Sequence, residues 1–207
     1  SPVTTADGAC VVCSGEAVIV IDARGEERWR RRRPAELAAS PVIDDTGSRV
    51  LVADRGGTAA LINLADGEVC AERALGDAVT ASGAASKGVF ALGVRSGAVW
   101  GLDQETLAVV WRDAFGAPFD HTSFTVTPDG DFAATAMCGD IICRDAAGGV
   151  FLWRSSQMLG LPDQDVRLDV TPVFGPGGDM YAAAYDGSIY QFGFPDLREG
   201  PGDDRTD

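Results

Sequence analysis

The sequence predicts an all-β chain: a β-propeller of about five four-stranded antiparallel blades, either closed as a small ring or forming part of a larger one. Three observations carry that expectation. Glycine-anchored segments recur at near-constant spacing. Each lies among short apolar strands joined by Gly, Asp and Pro turns. No segment holds a sustained 3.6-residue apolar period, so helices should be nearly absent.

The recurring segments are SGEAVIVID (14–22), GGTAALIN (56–63), SGAVWGLD (96–103), CGDIICRD (138–145) and DGSIYQFG (186–193). Their glycines are Gly15, Gly57, Gly97, Gly139 and Gly187, at intervals of 42, 40, 42 and 48 residues. Each segment alternates before a closing Asp22, Asn63, Asp103 or Asp145, and the last copy closes on Gly193. After a turn comes Trp29, Trp111 or Trp153, with Cys70 assigned to the same place in the second copy. Upstream of each glycine lies another apolar strand: ACVVCS, RVLVAD, GVFALGV, DFAATAM or DMYAAAY. A short strand and turn precede that, as in SPVTTADG (1–8) and SPVIDDTG (40–47), while the third copy, 78–88, is degenerate. Each unit therefore reads as four strands, and a repeat of about 40 residues built this way signals a propeller blade.

A lone four-stranded meander leaves one face uncovered, whereas radial packing buries both faces of each sheet. The tryptophans should wedge between neighbouring blades, each contributing about 1.5–3 kcal/mol through burial. Asp22, Asp103 and Asp145 should accept backbone N–H bonds in the tight turns. These six residues are the expected docking set. Blade limits are near 1–39, 40–77, 78–120, 121–168 and 169–198, with residues 199–207 an acidic, disordered tail. The last unit shows no clear fourth strand and no Trp. An open arc would expose sheet edges and an apolar face, so a closed ring or a completing partner is expected.

The turn patterns resemble the quinoprotein-type (PQQ-like, BamB-like) propeller repeat, whose motif is Ala-x-Asp-x-x-Thr-Gly-x-x-x-Trp. GLDQETLAVVW (101–111) matches its Asp, Thr and Trp and lacks the Gly. CRDAAGGVFLWR (143–154) keeps Asp, Gly and Trp, IDARGEERW (21–29) is one residue tighter, and NLADGEVC (63–70) lacks the Trp. The resemblance runs to about residue 194 and implies fold more than function. Members include quinone-dependent dehydrogenases, the assembly scaffold BamB, sensor domains and propellers of acyl-activating enzymes. The dehydrogenases carry eight blades and an adjacent-cysteine disulfide; this chain has five repeats and no Cys-Cys pair, so no cofactor is expected.

Net charge is −14, with 17 Arg and Lys against 31 Asp and Glu. Nucleic-acid binding needs clustered cations to neutralise phosphates, and an acidic chain is repelled by phosphate backbones and anionic lipid. The one basic run, Arg30 to Arg33, reads as an edge guard or a docking patch for an acidic partner. Neither nucleic-acid nor membrane partners are expected, and no apolar run is long enough to span a bilayer. Cys10, Cys13, Cys70, Cys138 and Cys143 read as small buried hydrophobes in a reduced protein. Cys10 and Cys13 project to opposite faces of a strand, which argues against a paired redox or zinc site. A cytoplasmic, bacterial setting is expected, and the Arg-rich, Lys-poor composition reads as the codon bias of a GC-rich genome.

Propellers bind ligands on the face shared by the blade-to-blade connections and the turns between second and third strands. Residues there include Asp54, Arg55, Arg95, Asp140 and Asp186, together with Asp120 and His121 on a connection. The 154–169 connection accounts for the 48-residue interval and is a candidate functional loop. His121, the single histidine, has no visible nucleophile or second ligand nearby in sequence. Asp129-Gly130-Asp131 reads as a turn rather than a calcium loop. The expected function is a noncatalytic scaffold or accessory domain, WD40-like in its use of a propeller to bind a protein. The partner would be another protein or another part of the same polypeptide, with a small ligand at the channel face also considered. The alternative is a small-molecule enzyme, of lyase or cyclase type, sited at the channel mouth.

Overall fold

In a computed structural model the chain folds into five antiparallel sheets in sequence order. The structure describes residues 1–115, 117–119, 122–161, 168 and 170–193. Blade 1 comprises β1 (Val3–Thr4), β2 (Cys10–Ser14), β3 (Ala17–Ile21) and β4 (Glu27–Arg32). Blade 2 comprises β5 (Val42–Ile43), β6 (Arg49–Ala53), β7 (Thr58–Asn63) and β8 (Val69–Ala74). Blade 3 comprises β9 (Ala84–Ser86), β10 (Val89–Gly93), β11 (Ala98–Asp103) and β12 (Val109–Ala114). Blade 4 comprises β13 (Phe124–Val126), β14 (Phe132–Thr135), β15 (Ile141–Arg144) and β16 (Phe151–Arg154). Blade 5 shows three strands among the described residues, β17 (Val173–Phe174), β18 (Met180–Ala183) and β19 (Ile189–Phe192). Among the described residues the one helix, α1 (Ser155–Met158), opens the long connection after blade 4.

Alternation along the strands gives every internal sheet two apolar faces, and each face is buried against a neighbour. In blade 2, Val50, Val52, Ala60 and Ile62 pack on blade 1, whereas Leu51, Ala53, Ala59 and Leu61 pack on blade 3. Four such apolar clusters join blades 1–2, 2–3, 3–4 and 4–5. Among the described residues no cluster joins blade 5 to blade 1.

The inner strands are linked one to the next. The N-terminal amine of Ser1 donates to Ser40 Oγ at 2.7 Å, and Ser40 N donates to Ser82 Oγ at 2.8 Å. Phe124 N donates to Ser82 O at 2.9 Å, and Ser123 N donates to Thr171 Oγ1 at 2.8 Å. Side-chain hydroxyls accept at the 1–2, 2–3 and 4–5 junctions and the backbone carbonyl of Ser82 accepts at the 3–4 junction, so these inner-strand donors are all paired.

Each complete blade has a β-bulge just before its outer-strand wedge residue, so two residues oppose one and the outer strand turns outward. Opposite the equivalent third-strand positions stand Trp29, Ala71, Trp111 and Trp153, facing Val20, Leu61, Gly101 and Cys143. The second copy therefore places Ala71, not Cys70, in the tryptophan position. Cys70 is the bulged residue, which alignment by sequence spacing alone shifts by one. It is also exposed, while Cys143 is buried and the other three cysteines are half-buried. Burial pushes the Cys13 thiol up to about 11 and that of Cys143 to about 12, so both stay protonated and pack as apolar groups.

The seams reuse one device. Trp29 Nε1 donates to Leu64 O at 2.8 Å, and Trp111 Nε1 donates to Ala146 O at 2.9 Å, each across to the next blade. The ring of Trp29 lies over Gly67 and that of Trp111 over Gly149, where a Cβ would approach ring carbons at 2.7 and 2.5 Å. Both glycines also have left-handed φ, +72° and +67°. Two residues beyond the wedge, Arg31 Nε donates to Gly67 O at 2.7 Å and Arg73 Nε donates to Leu107 O at 3.0 Å. Asp22 Oδ1 accepts N–H bonds from Arg24 and Glu26, Asp103 Oδ1 accepts from Glu105 and Thr106, and Asp145 Oδ2 accepts from Gly148.

Candidate functional site

The connections between blades and the turns between second and third strands meet on one face, where backbone hydrogen bonds lace them together. Each of the first three connections bonds to the turn of its own blade and to that of the next. Leu37 N donates to Gly15 O, and Arg55 N donates to Glu36 O. Leu75 N donates to Gly57 O, and Arg95 N to Ala78 O. Phe115 N donates to Gly97 O, and Met137 N to Pro118 O. The close approach requires glycine in the turn: a Cβ on Gly57 would sit 2.7 Å from Asp77 O, and one on Gly97 would sit 2.5 Å from Ala117 O. Two of the recurrent glycines that revealed the repeat, Gly57 and Gly97, are thus points where the face is tightly fastened, whereas a Cβ on Gly15 or Gly187 would meet nothing within 4 Å.

This lacing fixes the residue at the tip of each turn. The equivalent positions are Arg55, Arg95, Met137 and Tyr185. The backbone N–H of the first three is held by the adjoining connection, so their side chains project from a rigid base. Met137 is 61% exposed and Tyr185 is 74% exposed. Arg55 Nε forms an ion pair with Glu36 at 3.1 Å while staying about half exposed. The face therefore presents two cations followed by two large apolar side chains, in blade order. Sequence reasoning selected Arg55 and Arg95 and missed Met137 and Tyr185. The signal was available in the repeat: all four stand two residues before the anchoring glycine.

The acidic candidates divide. Asp186 is exposed and caps its own turn, accepting from Ser188 N at 2.8 Å. That backbone bond holds its carboxyl below the usual range. Asp54 is 1% exposed and folded inward, with Oδ1 accepting from Thr58 N at 3.0 Å. Asp140 is also 1% exposed. Its carboxylate accepts from Ser155 Oγ at 2.5 Å, Ser156 N at 2.9 Å and Ser156 Oγ at 2.7 Å, with Arg154 Nε at 3.7 Å. Asp140 thus pins the start of the long connection to its own blade. Asp120 and His121 lie outside the described residues, as do the 199–207 tail and most of the 162–169 segment.

Arg30 to Arg33 do not form a single patch. Strand alternation sends Arg31 and Arg33 into the blade 1–2 seam, where Arg33 Nη2 meets Glu72 at 2.6 Å. Arg30 and Arg32 point the other way and are exposed. Asp131 takes Lys87 Nζ at 2.9 Å, and Gly130 N donates to Thr127 O, as in an ordinary turn. Among the described residues no group of three or more His, Cys, Asp or Glu is placed to hold a metal ion.

Five sequential antiparallel meanders, joined at four seams and laced on one face, define a β-propeller. Residues 1–86 match the family described as outer membrane protein assembly factor BamB. The fold is similar to that of BamB from Moraxella catarrhalis, with a TM-score of 0.77 and 21% identity, covering 93% of this chain and 60% of that one. It is also similar to the Cps50 (Swd1) β-propeller domain of Myceliophteria thermophila, with a TM-score of 0.70 and 15% identity, covering 96% of this chain and 67% of that one. The chain thus spans about three fifths of the BamB it resembles. No curated protein matches it in sequence.

Proposed function

We propose that the chain is a noncatalytic protein-binding scaffold whose loop face receives an extended segment of a partner protein. The carrying observation is the series Arg55, Arg95, Met137 and Tyr185, one side chain from each of blades 2 to 5 at a single repeat position, the first three on a laced base. Such a series fits a segment with carboxylates toward one end and apolar side chains toward the other. The arginines supply planar donors for carboxylates, and Met and Tyr supply adaptable apolar contact. Pre-fastened turns reduce the ordering entropy that binding costs. The BamB-like and WD40-like folds of the similar structures are consistent with this use, at the level of fold alone. The enzyme alternative finds no specific support among the described residues.

Photo-crosslinkers placed at Met137 and Tyr185 should capture the same protein from lysate. One at Asp129, in a turn on the opposite face, should not. Arg95→Glu should reduce capture at least about tenfold, roughly the loss of one charge-assisted contact. Equal capture from both faces would remove the loop face from the proposal.

A further inference from the structure

Among the described residues, no neighbouring blade packs on one sheet face of blade 1 and one sheet face of blade 5. At the third-strand position occupied by Ile189 in blade 5, the other four blades place Val18, Ala59, Val99 and Ile141, all 0% exposed. Ile189 itself is 76% exposed, and Val173 on the same face is 59% exposed. Tyr181 and Ala183 pair with Val173 and Ile189 respectively, which extends this face across all three strands, with Gln191 opposite Tyr181 as its polar member. At the far end, Ile19 stands where Ala60, Trp100 and Ile142 are buried in blades 2, 3 and 4. Ile19 pairs with Val12, and Ile21 pairs with Cys10, so four half-buried apolar residues face outward together.

The outer strand at the blade 1 end adds a charge requirement. Arg30 is paired with Ile19 and Arg32 with Ala17, on that same face. They border a concavity of about 520 Å³ shared with Glu16 and Glu36. In blade 2 the position of Arg30 is taken by Glu72, which Arg33 of blade 1 meets at 2.6 Å. In the 3–4 seam, Asp113 on the outgoing outer strand meets Arg144 of the next blade at 2.6 Å. Charges of opposite sign thus cross both seams, and the sign at blade 1 is reversed relative to blade 2. Arg30 is already paired with Glu27 of its own strand at 2.7 Å, so an Asp or Glu on an incoming outer strand here would meet Arg32.

We infer that these two faces are docking surfaces for further four-stranded blades of the same kind, and that the blade seated on blade 1 presents apolar inner strands and an acidic outer strand. The described sheets form an arc of five blades that overlays 60% of the length of BamB, which leaves room for about three more. The internal seams show how such faces are filled: by alternating aliphatic residues inside and an ion pair outside. The apolar ends are also a self-association hazard until they are covered.

A second copy of this chain serves as the probe for the apolar part of the requirement, because the three described strands of blade 5 offer the outgoing kind of inner-strand face that blade 1 should accept. Sedimentation of the 207-residue chain at tens to hundreds of micromolar should show head-to-tail association. Ile19→Asp and Ile189→Asp should each abolish self-association while shifting Tm by less than about 2 °C. Mixing the two variants should restore a dimer that grows no further, since each variant keeps one intact face. A monomeric wild-type chain overturns the inference. If both substitutions then lower Tm strongly, the ends cover each other in a closed five-blade ring; if neither does, the faces are not adhesive. The proposed loop-face binding is untouched by either result, because Met137 and Tyr185 lie in turns rather than on these sheet faces.

Discussion

The seams joining blades 1–2 and 3–4 and the seam joining blades 2–3 bury the same position in opposite ways. In the first two, a tryptophan from the outgoing blade lies over a glycine of the incoming turn: Trp29 over Gly67 and Trp111 over Gly149. In the third, the outgoing blade supplies Ala71, and the incoming turn supplies Leu107, which is 0% exposed. Leu107 keeps the left-handed backbone of its glycine counterparts, with φ +56°. A leucine there is strained, and the burial of its side chain offsets that strain. Volume lost on one side of the seam reappears on the other. The conserved quantity across the three seams is filled space, and the tryptophan is one of two ways to fill it.

Removing the filler should have the largest effect where the largest buried side chain is lost. Trp111 is 8% exposed and bonded to Ala146 O, so Trp111→Ala should destabilise by about 3–5 kcal/mol. Leu107→Ala should follow at about 2–5 kcal/mol, the usual range for a buried leucine. Urea unfolding curves would measure both, and a change under about 1 kcal/mol in either would show that the filler is dispensable. The comparison is sharpened by converting one seam into the other. Gly67→Leu alone should be poorly tolerated, because its Cβ would meet the Trp29 ring at 2.7 Å. Combined with Trp29→Ala it recreates the Ala71 and Leu107 arrangement. The double variant should recover stability relative to Gly67→Leu, with a coupling of about 1–3 kcal/mol. Strict additivity would break the idea of exchanged volume.

The same pair explains what was readable in the sequence. The strand order and the blade count followed from glycine spacing and alternation, because backbone geometry repeats even where side chains do not. GLDQETLAVVW lacks the motif's glycine and NLADGEVC lacks its tryptophan. Taken separately they look like two decayed copies. Only the fold shows that Ala71 and Leu107 touch the same space from adjacent blades. Cys70 was misplaced for a related reason: the bulge inserts a residue in register that spacing cannot reveal. On the loop face, Arg55 and Arg95 were found by charge, while Met137 and Tyr185 were passed over because apolar residues in a strand-rich chain read as core. Their exposure comes from their place at turn tips, which the glycine offset encodes and hydrophobicity conceals. Asp54 and Asp140 erred the other way. Acids in turns read as surface, yet inward backbone and hydroxyl donors bury both.

The smallest effect separates the turns themselves. Blade 3 closes its turn with Asp103, whose carboxyl is held below the usual range first by the Thr106 hydroxyl, then by backbone N–H groups of Thr106 and Glu105. Blade 2 uses Asn63, whose Oδ1 accepts from Ala65 N at 2.8 Å without a charge. For Asp103 the folded-state value lies below the unfolded value of about 3.9. Its contribution is therefore complete above the ordinary carboxylate range and disappears as pH falls through the lowered folded value. Asn63 contributes no such slope. Asp103→Asn should consequently flatten the acid limb of the Tm profile between about pH 5 and pH 2, and Asn63→Asp should steepen it. Each change should be of order 1 °C, because these turns are exposed enough for solvent to screen the charge. Calorimetric scans of the two variants beside the wild type would read this directly. Parallel shifts at every pH would mean that the turn carboxylate acts by shape alone, as the asparagine does.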